Sequence, residues 1–222
     1  MLTGFSVKGF KNFDKEFSID FSDVRDYKFH TELVTNGVLN TAVIYGKNAA
    51  GKSNFGLALF DIVSHLTMNN VTPGLYDYYL NVNSMYKQAS FKYEFAFGED
   101  DIFYAYSKSG QDSLTSEFLI LNDIVIFHRS SDIRLYDNNG LVELAPNLNW
   151  DRADDMSPLK YLFYNSPLDS NHPISKMMVY VNNMLWFRSL DENRFIGFKE
   201  KSNDFLLFCS RKIYIWMNLT TY

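Results

Sequence analysis

The sequence predicts a mixed α/β fold, and three observations predict it. Residues 41–68 read as a short apolar strand, a glycine loop and an amphipathic helix. Residues 91–144 read as closely spaced strands separated by turn residues, and the first 21 residues read as a hairpin.

Phe5, Val7, Phe10 and Phe13 give a strand-like start, with Gly9 as a bulge or bend. Phe17, Ile19 and Phe21 then alternate with polar residues, so the two runs predict an antiparallel hairpin. Residues 23–40 are polar and irregular. Thr41-Ala42-Val43-Ile44-Tyr45 runs apolar up to Gly46, as expected of a strand buried on both faces. From Lys52 the period changes: Phe55, Leu59, Ile62, Val63 and Leu66 fall three or four apart on one helical face. Asn69-Asn70 and Pro73-Gly74 end that helix.

Phe91, Tyr93, Phe95 and Phe97 alternate with Lys92, Glu94 and Ala96, and a turn follows at 98–101. Further strands are expected at 102–107, 117–121, 124–128, 133–136 and 141–144. Asn122-Asp123 and Asp137-Asn138-Asn139-Gly140 serve as hairpin turns between them. The spacing leaves no room for crossover helices, so these strands must pair antiparallel. Pro158 opens a short helix to Tyr164, and Pro173 opens another in which Ile174, Met177, Met178, Val181 and Leu185 share a face. That Met and aliphatic stripe is more often core than a partner groove. The layout divides into a lobe over 1–145, with its antiparallel β part at about 90–145, and a helical segment over 146–222. Apolar runs at 205–209 and 213–217 stand close to the last residue, so the chain is expected to be truncated.

Composition narrows the function. Of 222 residues, 46% are hydrophobic and 21% charged, enough to bury a core. Aromatics reach 17%, which favours pleated sheet. The net charge of −5 disfavours a surface built wholly for nucleic acid, though a local groove could still be positive. A single cysteine, Cys209, excludes an intramolecular disulfide and a zinc knuckle. His30, His65, His128 and His172 have no metal-ligand spacing. Neither a signal peptide nor an apolar run near the roughly 20 residues of a membrane span is present, so a cytoplasmic protein is expected.

Gly46-Lys47-Asn48-Ala49-Ala50-Gly51-Lys52-Ser53 fits the phosphate-loop pattern G-x-x-x-x-G-K-[ST]. In such a loop the backbone amides wrap phosphates, the lysine reaches the β- and γ-phosphates, and the hydroxyl ligates Mg²⁺. Gly46 starts the turn, Gly51 admits the anion to the backbone, Lys52 neutralises it and Ser53 holds the metal. The helix beginning at Lys52 adds the positive end of its dipole. A chance match in a chain this long is on the order of 1%, and the strand before and helix after it are those the motif requires. The expected cofactors are therefore ATP and Mg²⁺.

Gly9-Phe10-Lys11-Asn12-Phe13, the strand at 17–21 and Tyr45 through Asn54 together resemble the N-terminal lobe of SMC/RecF-type ABC ATPases. The likeness is nearest to bacterial AAA-family ATP-binding proteins related to OLD-family and abortive-infection ATPases. It spans about residues 1–145 in layout, and its specific motifs lie in the first third. The resemblance implies a P-loop NTPase N-terminal lobe with an antiparallel meander and a few C-terminal helices. It implies that Lys11 and Asn12 lie near the nucleotide and that Asn48 and Asn54 belong to the loop. Without it, Lys11 is a solvated hairpin lysine. It also implies two heads sandwiching ATP, in a homodimer or with a missing C-terminal half, and work on DNA or with a second protein in phage defence.

The departures are equally specific. After Gly140 the only glycine is Gly197, which has no serine before it, so no signature motif can be placed. Residues 118–123 end in Asn-Asp and read as a strand and turn, while Asp191-Glu192 lacks a preceding buried strand. No catalytic residue is identified, and the chain is expected to bind Mg-ATP but hydrolyse it slowly alone. Two other readings stand beside this one: a small P-loop kinase, for which the scattered arginines give no lid, and a non-catalytic, nucleotide-responsive interaction module.

Overall fold

The computed structural model describes residues 1–26, 28–47, 49–67, 74–130, 133–153 and 156–184, with backbone alone for 133–136, 186–188, 194–196 and 214–217. The sequence readings at Asn48, 69–70, Pro73, 154–155, Leu185, 190–192, Gly197 and 205–209 lie outside these residues.

The chain folds as mixed α/β around a seven-stranded antiparallel sheet. Its strands are β1 (Leu2–Lys8), β2 (Phe17–Asp20), β6 (Ala89–Phe97), β7 (Asp100–Gly110), β8 (Ser113–Leu121), β9 (Ile124–Ser130) and β10 (Ile133–Asp137). They lie in the order β10-β9-β8-β7-β6-β1-β2, every pair antiparallel. The expected hairpin at the start is β1 with β2, and the expected meander is β6 to β10. Turn chemistry fixes the registers. Gly98 (φ +78°) turns β6 into β7 in two residues, and Asn122 and Asp123 (φ +49° and +63°) turn β8 into β9. Two consecutive positive φ values match the twist of the flanking strands.

One face of the sheet carries the core. Phe5, Tyr93, Tyr104, Leu119 and Phe127 stand opposite one another across β1, β6, β7, β8 and β9, and all are nearly or fully buried. Each large apolar side chain taken out of water contributes about 1.5–3 kcal/mol. Helix α1 (Lys52–Leu66) covers this row: Phe55 meets Phe5 edge-on at 5.7 Å, and the Tyr93 hydroxyl donates to the Ala58 carbonyl at 3.0 Å. Helices α3 (Pro158–Asn165) and α4 (Pro173–Asn182) join the same core. In α4, Ile174, Met177, Met178 and Val181 are fully buried, so that stripe is core packing as expected.

Gly9 is the bend that the opening pattern required. Its φ is +71°, and a Cβ there would stand 2.2 Å from the Gln88 carbonyl oxygen. Beyond it Phe10 is fully buried, bridged to Phe13 and Leu80.

Three expectations are corrected. Residues 141–144 are not a strand but part of helix α2 (Asn139–Leu144), so 137–140 is not a hairpin turn. A Cβ on Gly140 would lie 2.8 Å from Ile126 backbone atoms, so the chain crosses directly over β9 and buries Leu141 there. Four residues were too few for alternation to tell a strand from one helical turn. The segment 23–40 is not wholly irregular: β3 (Val34–Thr35) and β4 (Val38–Leu39) form a small hairpin around Asn36-Gly37, both at positive φ. Finally, β5 (Thr41–Ile44) is not buried on both faces, because Val43 is 56% exposed. Among the described residues its one strand neighbour is β13 (Tyr214–Met217), paired in parallel. A parallel strand is covered on both faces only where neighbours and crossover helices surround it.

Helix α1 is pinned to the sheet by a buried ion pair. Lys108, at an inward position of β7, donates to Asp61 Oδ2 at 2.7 Å, and their side chains are 3% and 0% exposed. Tyr106 donates to the same oxygen at 2.8 Å and Tyr79 to Oδ1 at 3.0 Å. Asp61→Ala leaves a buried ammonium without its carboxylate, so the urea midpoint should fall by the equivalent of about 3–5 kcal/mol. Lys108→Met should cost less, because two hydroxyls still serve the Asp61 carboxyl. Equal, small losses for both variants would show that the pair does not hold α1.

Candidate functional site

The glycine loop leaves the carboxyl end of β5 and enters α1. Ala49 (φ +62°) and Gly51 (φ +93°) are both left-handed, and the Ala50 amide returns to the Lys47 carbonyl at 3.2 Å. These two residues curl the loop back over the start of the helix. Gly46 is less constrained, because a Cβ there would meet only Ala50 at 3.8 Å, an ordinary contact.

Lys52 is the first residue of α1 and is only 6% exposed. Its ammonium donates to the Gly46 carbonyl at 2.7 Å and the Lys47 carbonyl at 2.9 Å. An ammonium has three donors, so the lysine closes the loop like a hasp and keeps one proton for another acceptor. Gly51, Lys52, Ser53 and Asn54 carry the four amides that a helix start cannot satisfy internally. Among the described residues no side chain caps them: the first helical bond, Phe55 to the Gly51 carbonyl, begins after them. Uncapped amides beside a buried ammonium make a positively polarised helix start. Lys47 and Ser53 are exposed at its rim.

The segment before β2 reaches this loop through Asn12. Asn54 Nδ2 donates to Asn12 Oδ1 at 2.7 Å, and a Cβ on Gly51 would lie 2.2 Å from Asn12 Nδ2. Asn12, Gly51 and Asn54, far apart in sequence, therefore meet. Lys11 is placed differently. Its ammonium donates to the Asp77 carbonyl at 2.7 Å, its amide to the Tyr79 carbonyl at 3.0 Å, and its own carbonyl accepts from Asn81 Nδ2 at 2.6 Å. Burial lowers the Lys11 ammonium below the usual lysine range, with Asp77 partly opposing. Lys11 clamps the 77–81 turn.

That turn leads back to α1, because Tyr79 also hydrogen-bonds Asp61. Burial raises the Tyr79 and Tyr106 phenols well above their ordinary range, and the neighbouring Asp61 charge adds to it. Both remain donors to that carboxylate. Asp61, Lys108, Tyr79 and Tyr106 were missed by motif reading, yet two signals mark them. Asp61 interrupts the apolar run 57–63 on the buried side of a helix, and Lys108 continues the inward series Ile102, Tyr104, Tyr106.

Ala in place of Gly51 must take a left-handed backbone beside Asn12, which costs about 1–3 kcal/mol. Gly51→Ala should therefore lower the unfolding midpoint, and adding Asn12→Ala should relieve only the part due to contact. A Gly51→Ala protein as stable as the parent would mean that the loop does not hold this conformation.

Among the described residues no helix is long and apolar enough to cross a membrane, and no three His, Cys, Asp or Glu side chains gather as a metal site. Neither a model of a known protein family nor a curated protein matches the chain.

Proposed function

We propose that this chain is the ATP-binding lobe of an ABC/SMC-like P-loop ATPase, taking Mg-ATP at residues 46–54. The observation that carries the reading is the loop around Lys52, a nearly buried ammonium fastened to the Gly46 and Lys47 carbonyls beside four uncapped helix-start amides. That set of donors suits an anion, and with the glycine loop around it a phosphate chain. Bound Mg²⁺ would supply charge neutralisation between phosphate oxygens, and Ser53 at the rim is the residue to hold it. Mg²⁺ is usually held by one or two protein ligands and the phosphates themselves, so the lack of an acidic cluster among the described residues fits this mode.

Asn12, from the neighbouring hairpin, braces the loop through Asn54 at the start of α1. In this reading the partner is a second copy of the head or a C-terminal half, and the work is on DNA or with a second protein in phage defence. The exposed Val43 and Tyr45 at the loop's base support a surface that another element covers.

Calorimetric titration with Mg-ATP should show binding that weakens at least about tenfold in Lys52→Ala, the loss of one charge-assisted hydrogen bond. Equal binding by the two proteins, or none by the parent, would refute the assignment. Steady turnover at ordinary ATPase rates, abolished by Lys52→Ala, would refute only the expectation of slow hydrolysis.

A further inference from the structure

Away from the loop, a second buried acid sits where the mechanism above makes no use of it. Glu117 lies in β8 with no exposed surface. Its Oε1 accepts from the Tyr104 hydroxyl at 2.8 Å and from the Ser157 hydroxyl at 2.7 Å. Its Oε2 has no hydrogen-bond partner among the described residues. Ser157 is also the cap of α3, since its Oγ accepts from the Lys160 amide at 3.1 Å. One carboxyl oxygen thus holds the residue on which α3 begins. Next to it, Arg129 from β9 donates through Nη1 to the Ala153 carbonyl at 3.0 Å and the Met156 carbonyl at 2.5 Å, on the stretch leading into α3.

We propose that Glu117, Tyr104, Ser157 and Arg129 form a proton-operated clasp, closed on the start of α3 when Glu117 is neutral and loosened when it ionises. A neutral carboxyl leaves one oxygen without a partner at modest cost, whereas a buried carboxylate does not. On ionisation the proton leaves to solvent, and water must reach Oε2. One side of Glu117 is the sheet itself, so the cover that can lift is Ser157 with the first turn of α3.

The surrounding groups set the pH range. Burial pushes the Glu117 carboxyl up to about 7, against the hydrogen bonds from Ser157 and Tyr104, the positive charge of Arg129 and the Leu159 amide in the first turn of α3. On α1, His65 stacks over Tyr104 at 6.2 Å, and burial with Lys108 and Lys160 holds its pKa well below the usual value, so it stays neutral throughout. On α3, the Lys160 ammonium is engaged by the Thr67 carbonyl at 2.7 Å. A carboxyl whose pKa is raised in the closed form stabilises that form below its ordinary value, and the contribution is lost as pH rises through the closed-form value. The closed clasp therefore belongs to the acidic side of about pH 7.

Hydrogen exchange of the α3 amides, corrected for intrinsic rates, tests this on the intact chain without nucleotide. Protection should fall about tenfold between roughly pH 6 and 8.5, as linkage for this shift requires. Glu117→Gln should keep the protected level at both ends. Tyr104→Phe, which removes a donor to the carboxyl, should move the midpoint to higher pH. A parent protein with pH-independent α3 protection, an unchanged response in Glu117→Gln, or an unmoved midpoint in Tyr104→Phe would overturn the clasp. Because no readout involves ATP, failure here leaves the nucleotide assignment standing, and the reverse.

Discussion

The fold depends most on one buried contact, the carboxylate of Asp61 against the ammonium of Lys108. Helix α1 could slide along an aromatic face at little cost, because apolar contacts are not directional. The ion pair and the Tyr79 and Tyr106 hydroxyls remove that freedom, since any shift would strip a buried charge of its partner. Ion pairs of this kind add less stability than apolar packing would, so what this one contributes is position. Position matters because the same rigid helix begins, nine residues earlier, at Lys52.

From there the constraints form a closed circuit. Asp61 holds Tyr79; the carbonyls of Asp77 and Tyr79 hold Lys11; the next residue, Asn12, braces Gly51 and Asn54 at the helix start. The loop is thereby braced by Asn12 at the start of α1 and anchored through Asp61 further along the same helix, and the Asp61, Tyr79 and Lys11 links of this circuit use none of residues 46–54. Preorganised donors of this sort bind an anion without first having to be ordered.

Much of this was legible in the sequence because the relevant signals are local. Period-two alternation marked β6, Asn122-Asp123 marked a two-residue turn, and Pro158 and Pro173 marked helix starts. The strand-to-helix setting of the glycine loop was readable, since few other patterns put a lysine at a helix start behind such a turn. What escaped reading was non-local or too short. Residues 141–144 became helix because β9 lies beneath Gly140, a contact no window reveals. Asn36-Gly37 is a strong turn signal, but its two-residue strands gave no alternation to flank it. The exposure of Val43 depends on which strands stand beside β5, and the meeting of Asn12 with Gly51 on how β1 bends at Gly9. Lys11 and Asn12 are adjacent yet face different partners, with Lys11 itself in a left-handed backbone (φ +46°) that no sequence window marks.

The tyrosines packed beneath α1 have a consequence at the alkaline end of the pH scale. Burial holds the phenols of Tyr93, Tyr104 and Tyr106 well above their ordinary value, with the charges of Asp61 or Glu117 next in effect. In an unfolded chain the same phenols ionise near pH 10. Strong base therefore draws the protein toward the unfolded state, and these phenolates form together as the sheet comes apart. The ultraviolet absorbance of tyrosinate would rise in two stages, first from the surface rings and then from the buried tyrosines, this trio and Tyr79 among them, making the second stage an intrinsic record of the loss of the core.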